Sequence, residues 1–218
     1  MSVAAVAVRP RWRGLTHRAA VPSFLLAFTT LAVETPSRDG NRLAVIVYGL
    51  GVLAMFTISA VYHSGRASEA GTRLLKRLDH GTILLAIAGT YTAVTALGVH
   101  GSRRGQLLVG IWLATTVGVA IQMLWLDAPR ALSAAVYIVV GWFAIFDLPA
   151  YLRGTTTAQF AWIIFGGLLY TTGAGVYAAK KPNPSPEVFG FHEVFHAFTV
   201  VASGLQFVAI AYAVVPLM

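Results

Sequence analysis

Seven mainly apolar stretches divide the chain, separated by short segments rich in charge, proline and glycine. They run from about Ala19 to Val33 (a full span only if it begins near Leu15), Leu43 to His63, Asp79 to Leu97, and Leu107 to Leu126. The last three run from Ala131 to Pro149, Phe160 to Ala178 and Phe191 to Val215. A helix needs roughly 20 apolar residues to cross hydrocarbon, where every backbone polar group must be satisfied internally. The pattern predicts an all-α, polytopic membrane protein with seven transmembrane helices, folded as a single domain over 1–218 and placed in the cell (plasma) membrane. The breaks carry turn chemistry: Thr35-Pro36-Ser37-Arg38-Asp39-Gly40-Asn41, Asp127-Ala128-Pro129-Arg130 and Pro182-Asn183-Pro184-Ser185-Pro186. No small-residue cleavage site followed by a soluble domain succeeds the first run, which reads as a retained helix. No internal repeat or long linker interrupts the series.

Composition supports this class. The 218 residues are 57% hydrophobic and only 11% charged, against about 25% charged in a soluble domain. With no cysteine, disulfides, thiolate metal sites and cysteine nucleophiles are excluded. The net charge of +8 does not point to nucleic acid, because the basic residues fall between the apolar runs, where they set topology. Arg9, Arg11, Arg13, Arg18, Arg66, Arg73, Lys76, Arg77, Arg130, Lys180 and Lys181 fall on one side. Arg38, Arg42, Arg103, Arg104 and Arg153 fall on the other. The excess predicts a cytoplasmic N-terminus and an extracellular C-terminus, as an odd number of spans requires.

The few polar groups at span ends carry the candidate chemistry. His192 and His196 lie one turn apart in Phe189-Gly190-Phe191-His192-Glu193-Val194-Phe195-His196, where the last span begins. Residues four apart share a helix face with a rise of roughly 6 Å, so both imidazoles can address one metal ion. Ser59 and His63, at the same spacing, close the second span, and Asp79 opens the third. Alternation of the spans puts His63, Asp79, His192 and His196 at the same, cytoplasmic, level, although the boundaries follow from apolarity alone. Three neutral imidazoles make a catalytic zinc set with a fourth position open to water, whose pKa the metal lowers to about 7. Asp79 would orient that water or take its proton, and Ser59 would hydrogen-bond the water, the aspartate or a substrate carbonyl. Ionisable groups in a membrane are costly and point to function.

Other residues read as structural. His80 points about 100° away from Asp79 around the helix and reads as packing or interfacial; His100 lies in an outside loop. His17 also lies near the cytoplasmic face, and whether it lines the site is left open. Haem is disfavoured for His192 and His196, because axial ligands approach from opposite faces. Glu193 reads as an exposed first-turn carboxylate favoured by the helix dipole, with a proton shuttle as the alternative. Gly166, Gly167, Gly173 and Gly175 permit close helix approach, and no nucleotide-binding motif accompanies them. Arg73 to Arg77 reads as a headgroup-contacting loop.

Three segments together resemble the bacterial haemolysin III family, within the superfamily of progestin and adiponectin receptors. They are Ser59-x-x-x-His63, Arg77-Leu78-Asp79-His80 leading into Ala88-Gly89-Thr90-Tyr91-Thr92, and Gly190-Phe191-His192-Glu193-Val194-Phe195-His196. The resemblance spans Gly14-Leu15-Thr16-His17 to the last helix. The arginine-rich start departs from the asparagine and acidic residues common there in the family. The resemblance implies seven helices, a cytoplasmic N-terminus and a zinc held by His63, His192 and His196, with Asp79 and Ser59 beside it. Similarity to alkaline ceramidases implies hydrolysis of lipid amide bonds.

Three functional readings follow. One is a zinc-dependent intramembrane hydrolase of a lipid amide or ester with Asp79 as base, serving membrane lipid homeostasis. Another is a receptor-like or regulatory protein whose structural zinc takes Asp79 as fourth ligand. A pore-forming haemolysin ranks last, since no amphipathic pore-lining pattern is present. The expected partner is a membrane lipid or lipid-like substrate, not nucleic acid.

Overall fold

The computed structural model describes residues 10–217; Arg9, counted above for orientation, lies outside them. Eight α-helices occur among the described residues: α1 Leu15–Glu34, α2 Asn41–Tyr62, α3 Glu69–Gly98, α4 Ser102–Leu124, α5 Arg130–Gly141, α6 Leu148–Gly154, α7 Thr157–Ala179 and α8 Phe191–Val214. A 3-10 segment, Phe143–Asp147, joins α5 to α6, so the two form one broken span and the described residues form seven long helical segments. Six of these are long and apolar enough to cross a membrane. The first, α1, is not among the six; it starts at Leu15, the earlier of the two expected starts, and carries His17, Arg18 and Glu34.

Burial is arranged as lipid demands. Leu26, Val139, Phe146 and Leu124 are exposed, while Thr82, Thr95, Thr115, Gln122, Ser133, Ser203 and Gln206 are buried. Apolar side chains facing outward and polar ones facing inward reverse the order of a water-soluble helix bundle. Sequence and fold together make this a multi-pass membrane protein.

Neighbours in sequence pack as neighbours in space: α1 on α2, α2 on α3, α3 on α4, α4 on α5, α5 on α7 and α7 on α8. Contact between α1 and α8 closes the series, and α3 also touches α5, α6 and α8. The apolar part of α3 is 61% buried, more than any other span, so α3 is the central helix. Hydrocarbon gives helices no hydrophobic drive to associate, and close packing of small residues replaces it. A Cβ on Gly51 of α2 would lie 2.8 Å from the Leu85 carbonyl oxygen of α3. Such contact fixes the two helices that carry Ser59 and His63 on one side and Asp79 on the other.

Two boundaries differ from the expected ones. The third helix begins at Glu69 rather than Asp79, with Ser68 capping it through the Gly71 N–H. Asp79 therefore lies about 15 Å along a continuous helix, and Arg73 to Arg77 are helical rather than a loop. The fifth span continues past Pro149 to Gly154. Pro149 sits in the first turn of α6, where its missing N–H costs nothing. The broken backbone upstream is satisfied by Tyr91, whose hydroxyl donates to the Gly141 carbonyl at 2.8 Å and accepts from the Ala144 N–H at 3.0 Å.

Candidate metal centre

His63 ends α2, its backbone N–H donating to the Ser59 carbonyl at 2.9 Å. That turn places the Ser59 and His63 side chains on one face, and both are buried. His192 and His196 occupy the first two turns of α8. The three imidazoles converge: one ligand atom from each lies within 4.8 Å of the other two. Their ring centroids are 4.7 Å apart for His63 and His192, 4.6 Å for His192 and His196, and 5.1 Å for His63 and His196. Two spans far apart in the sequence thus meet at one point.

The donor set fits a metal ion. Two bonds of about 2.0–2.1 Å at a tetrahedral angle separate ligand nitrogens by about 3.3 Å, and His63 Nε2 and His192 Nε2 lie 3.0 Å apart. His196 is buried, and its Nδ1 has no hydrogen-bond partner. The cavity bounded by Ser59, Asp79, His192 and His196 has a volume of about 20 Å³, room for one water-sized occupant. A buried histidine triad that can hold a metal ion is therefore present.

Asp79 stands beside this triad, outside the cluster of ligand atoms. Its Oδ2 lies 3.9 Å from His63 Nε2, and its carboxylate takes a side-chain hydrogen bond from Ser59. His80, expected to be packing or interfacial, is half-buried beside the same cavity and pairs with the Gln122 side chain. His100 is exposed, as its loop position implies.

His17 belongs to the site, a role the sequence left open. It is buried on α1, and its ring stacks on His196 with centroids 3.9 Å apart and planes 3° from parallel. It lines the cavity without joining the convergent triad. The position of His17 near the histidine-bearing ends of the other helices was the available signal.

Glu193 corrects the expectation most sharply. It is fully buried rather than exposed. Its Oε2 accepts the Gly190 N–H at 2.9 Å, and its Oε1 lies 2.5 Å from Arg13 Nε in an ion pair. Asn183 Oδ1 accepts the next helical N–H, that of Phe191, at 3.0 Å. These acceptors satisfy donors that a helix start leaves open. The segment before α1 is tied to the loop before α8 by Arg11 N–H to Glu187 C=O at 2.9 Å and Trp12 N–H to Val188 C=O at 3.1 Å. Arg13 thereby reaches over the turn that carries His192 and His196. Gly14 completes the closure: its φ is +76°, and a Cβ there would lie 2.6 Å from His63 Cβ.

Above the triad a narrow apolar chamber of about 90 Å³ runs between α2, α3, α5, α7 and α8. It shares Met55, Ile83, Tyr137, Phe195 and Thr199 with the small polar cavity. The arrangement places a polar, metal-competent floor under an apolar slot.

The family described as Haemolysin-III related matches residues 6–207. The chain is 27% identical over 183 residues to hemolysin-3 of Bacillus cereus, covering 83% of this chain and 80% of that protein. It is also 27% identical over 166 residues to the hemolysin-3 homolog of Bacillus subtilis (strain 168), covering 76% and 75%. Identity to the adiponectin receptor protein of Drosophila melanogaster is 24% over 197 residues, covering 80% of this chain and 44% of that one. With its helical bundle and buried histidines, the chain belongs to the haemolysin III family, within the progestin and adiponectin receptor superfamily.

Proposed function

We propose that this protein is a zinc-dependent intramembrane hydrolase of a lipid amide or ester, serving membrane lipid homeostasis in the plasma membrane. The observation that carries the reading is the Asp79 carboxylate held beside, not within, the three-histidine cluster. A closed structural site takes four protein ligands, whereas a catalytic site keeps a position free. His63, His192 and His196 would hold the zinc, which supplies Lewis acidity and a lowered water pKa. Asp79 would take a proton from a water held beside the triad, and its hydrogen bond from Ser59 would orient the carboxylate for that task. The apolar chamber suits the acyl part of a lipid, and a carbonyl at its floor would meet the polar groups.

The test begins with elemental analysis of protein purified without chelators. About one zinc per chain is expected for a three-histidine site, lost in His63→Ala and His192→Ala. Asp79→Asn should keep the metal and lose hydrolysis of ceramide-like amides and lipid esters. Zinc lost in Asp79→Asn would make Asp79 a ligand and favour a structural metal; turnover retained in that variant would remove it as base.

A further inference from the structure

A third cavity lies on the other side of His63 from the triad, between the start of α1 and the end of α2. It has a volume of about 640 Å³, within the range of small-molecule sites. Four arginines border it: Arg11, Arg13, Arg18 and Arg66. Arg13 is committed to Glu193, but the other three have no carboxylate partner among the described residues. The chain has eight acidic residues, and none of them lines this cavity. No acid occurs in residues 1–9 either. Three guanidiniums without a carboxylate partner among the described residues therefore line one cavity.

Apolar side chains line the same cavity and face outward. Leu15 and Val61 line it, and both are exposed, at 36% and 49%. Val21 and Pro22 continue the apolar lining about two turns further along α1. A soluble anion would use the arginines and leave this surface unused. A ligand with a phosphate at one end and hydrocarbon at the other uses both.

We propose that this groove binds an anionic phospholipid, its phosphodiester against Arg11, Arg18 and Arg66 and the upper part of its acyl chains along Leu15 and Val61. Guanidinium suits the phosphate because its planar fork matches two oxygens at once. The groove sits at the membrane-surface end of the helices, where headgroups lie. His63 is a shared wall, lining this cavity while its ring meets His192. An occupied groove thus bears on the helix end that carries one of the three imidazoles. The proposal rests on packing and charge, not on the metal reading.

The experiment titrates the full chain, in a neutral detergent, with a fluorescent phosphatidylglycerol and with the matching phosphatidylcholine. Wild type should bind phosphatidylglycerol saturably and more tightly than phosphatidylcholine. The double variant Arg18→Gln/Arg66→Gln should weaken binding roughly 25-fold, about a factor of five for each arginine near a phosphate. Arg38→Gln/Arg153→Gln, at the other ends of the helices, should bind as wild type does. Glycerol phosphate at millimolar concentration should not displace the lipid. Equal binding by the first double variant, or equal loss in the second, would overturn the proposal. Displacement by glycerol phosphate at the lipid's own concentration would make this a soluble-anion site and overturn it too. Zinc content measured on the same samples separates this outcome from failure of the hydrolase reading.

Discussion

Replacing Glu193 with glutamine tests the clamp on the metal-bearing helix. Glutamine keeps an oxygen for the Gly190 N–H but removes the negative charge opposite Arg13. The side chains in this pair are 1% and 21% exposed, so Arg13 retains limited access to water. Breaking a buried pair by removing one partner costs about 3–5 kcal/mol, and that access places Glu193→Gln near the low end, about 3 kcal/mol. An exposed first-turn glutamate held only by the helix dipole would contribute about 0.3–1 kcal/mol. At about 2–4 °C per kcal/mol for a chain of this size, the melting temperature should fall by roughly 6–12 °C. Arg13→Met should cost a similar amount, because it leaves the carboxylate buried without its cation. The double variant Arg13→Met/Glu193→Gln should cost no more than either single one, since both singles lose the same pair. Thermal unfolding in detergent, followed for all four proteins, supplies the cycle. A Glu193→Gln protein that melts within a degree of wild type, or single costs that simply add, would refute the clamp.

Other predictions follow from the same geometry. His17→Phe keeps a ring stacked on His196 and offers no ligand atom, so it should retain full zinc by elemental analysis; loss of the metal would make His17 a ligand. Gly14→Ala combines a left-handed backbone, about 1–2 kcal/mol for a residue with a Cβ, with a collision against His63 Cβ, and overpacking costs about 1–3 kcal/mol more. It should lower both the melting temperature and zinc retention during chelator challenge, whereas wild-type behaviour would show that the α1–α2 contact yields freely. Tyr91→Phe leaves the Gly141 carbonyl and the Ala144 N–H unpaired inside the bundle. That should destabilise the protein by about 2–6 kcal/mol at roughly 1–3 kcal/mol per orphaned group, and an unchanged unfolding curve would mean that water reaches the break.

The spans were legible because a membrane replaces periodicity with length: a run of apolar residues is the signal, and six helices met it. The same signal misplaces helix ends that leave the hydrocarbon. Residues 69–78 of α3 are helical but polar, so hydropathy starts the span at Asp79 and reads the preceding basic run as a loop. The contrary evidence was local: Ser68 as cap, and Glu69 four residues before Arg73, which pair at 2.6 Å. Pro149 misled in the other direction. Proline marks a helix boundary, but here it opens α6, and the span continues beyond it.

The triad was legible for a different reason. His192 and His196 announce a shared face by spacing alone, and His63 joins them because alternating spans return it to the same level. Glu193 follows the same helix, and its phase places it away from both histidines. Phase does not reveal what covers that face. The cover is a segment distant in sequence, Pro10 to Gly14, pinned by backbone hydrogen bonds to Glu187 and Val188. Counting arginines before the first span gives them one meaning, that of topology. The structure divides them by partner: Arg13 neutralises a buried carboxylate beside the histidines, while Arg11 and Arg18 line a groove without one. Charge counts are additive along a sequence, but burial is not. A chain with so few acidic residues has one carboxylate to spare for this arginine cluster, and where that carboxylate sits decides which arginine is structural and which remain open to an anion.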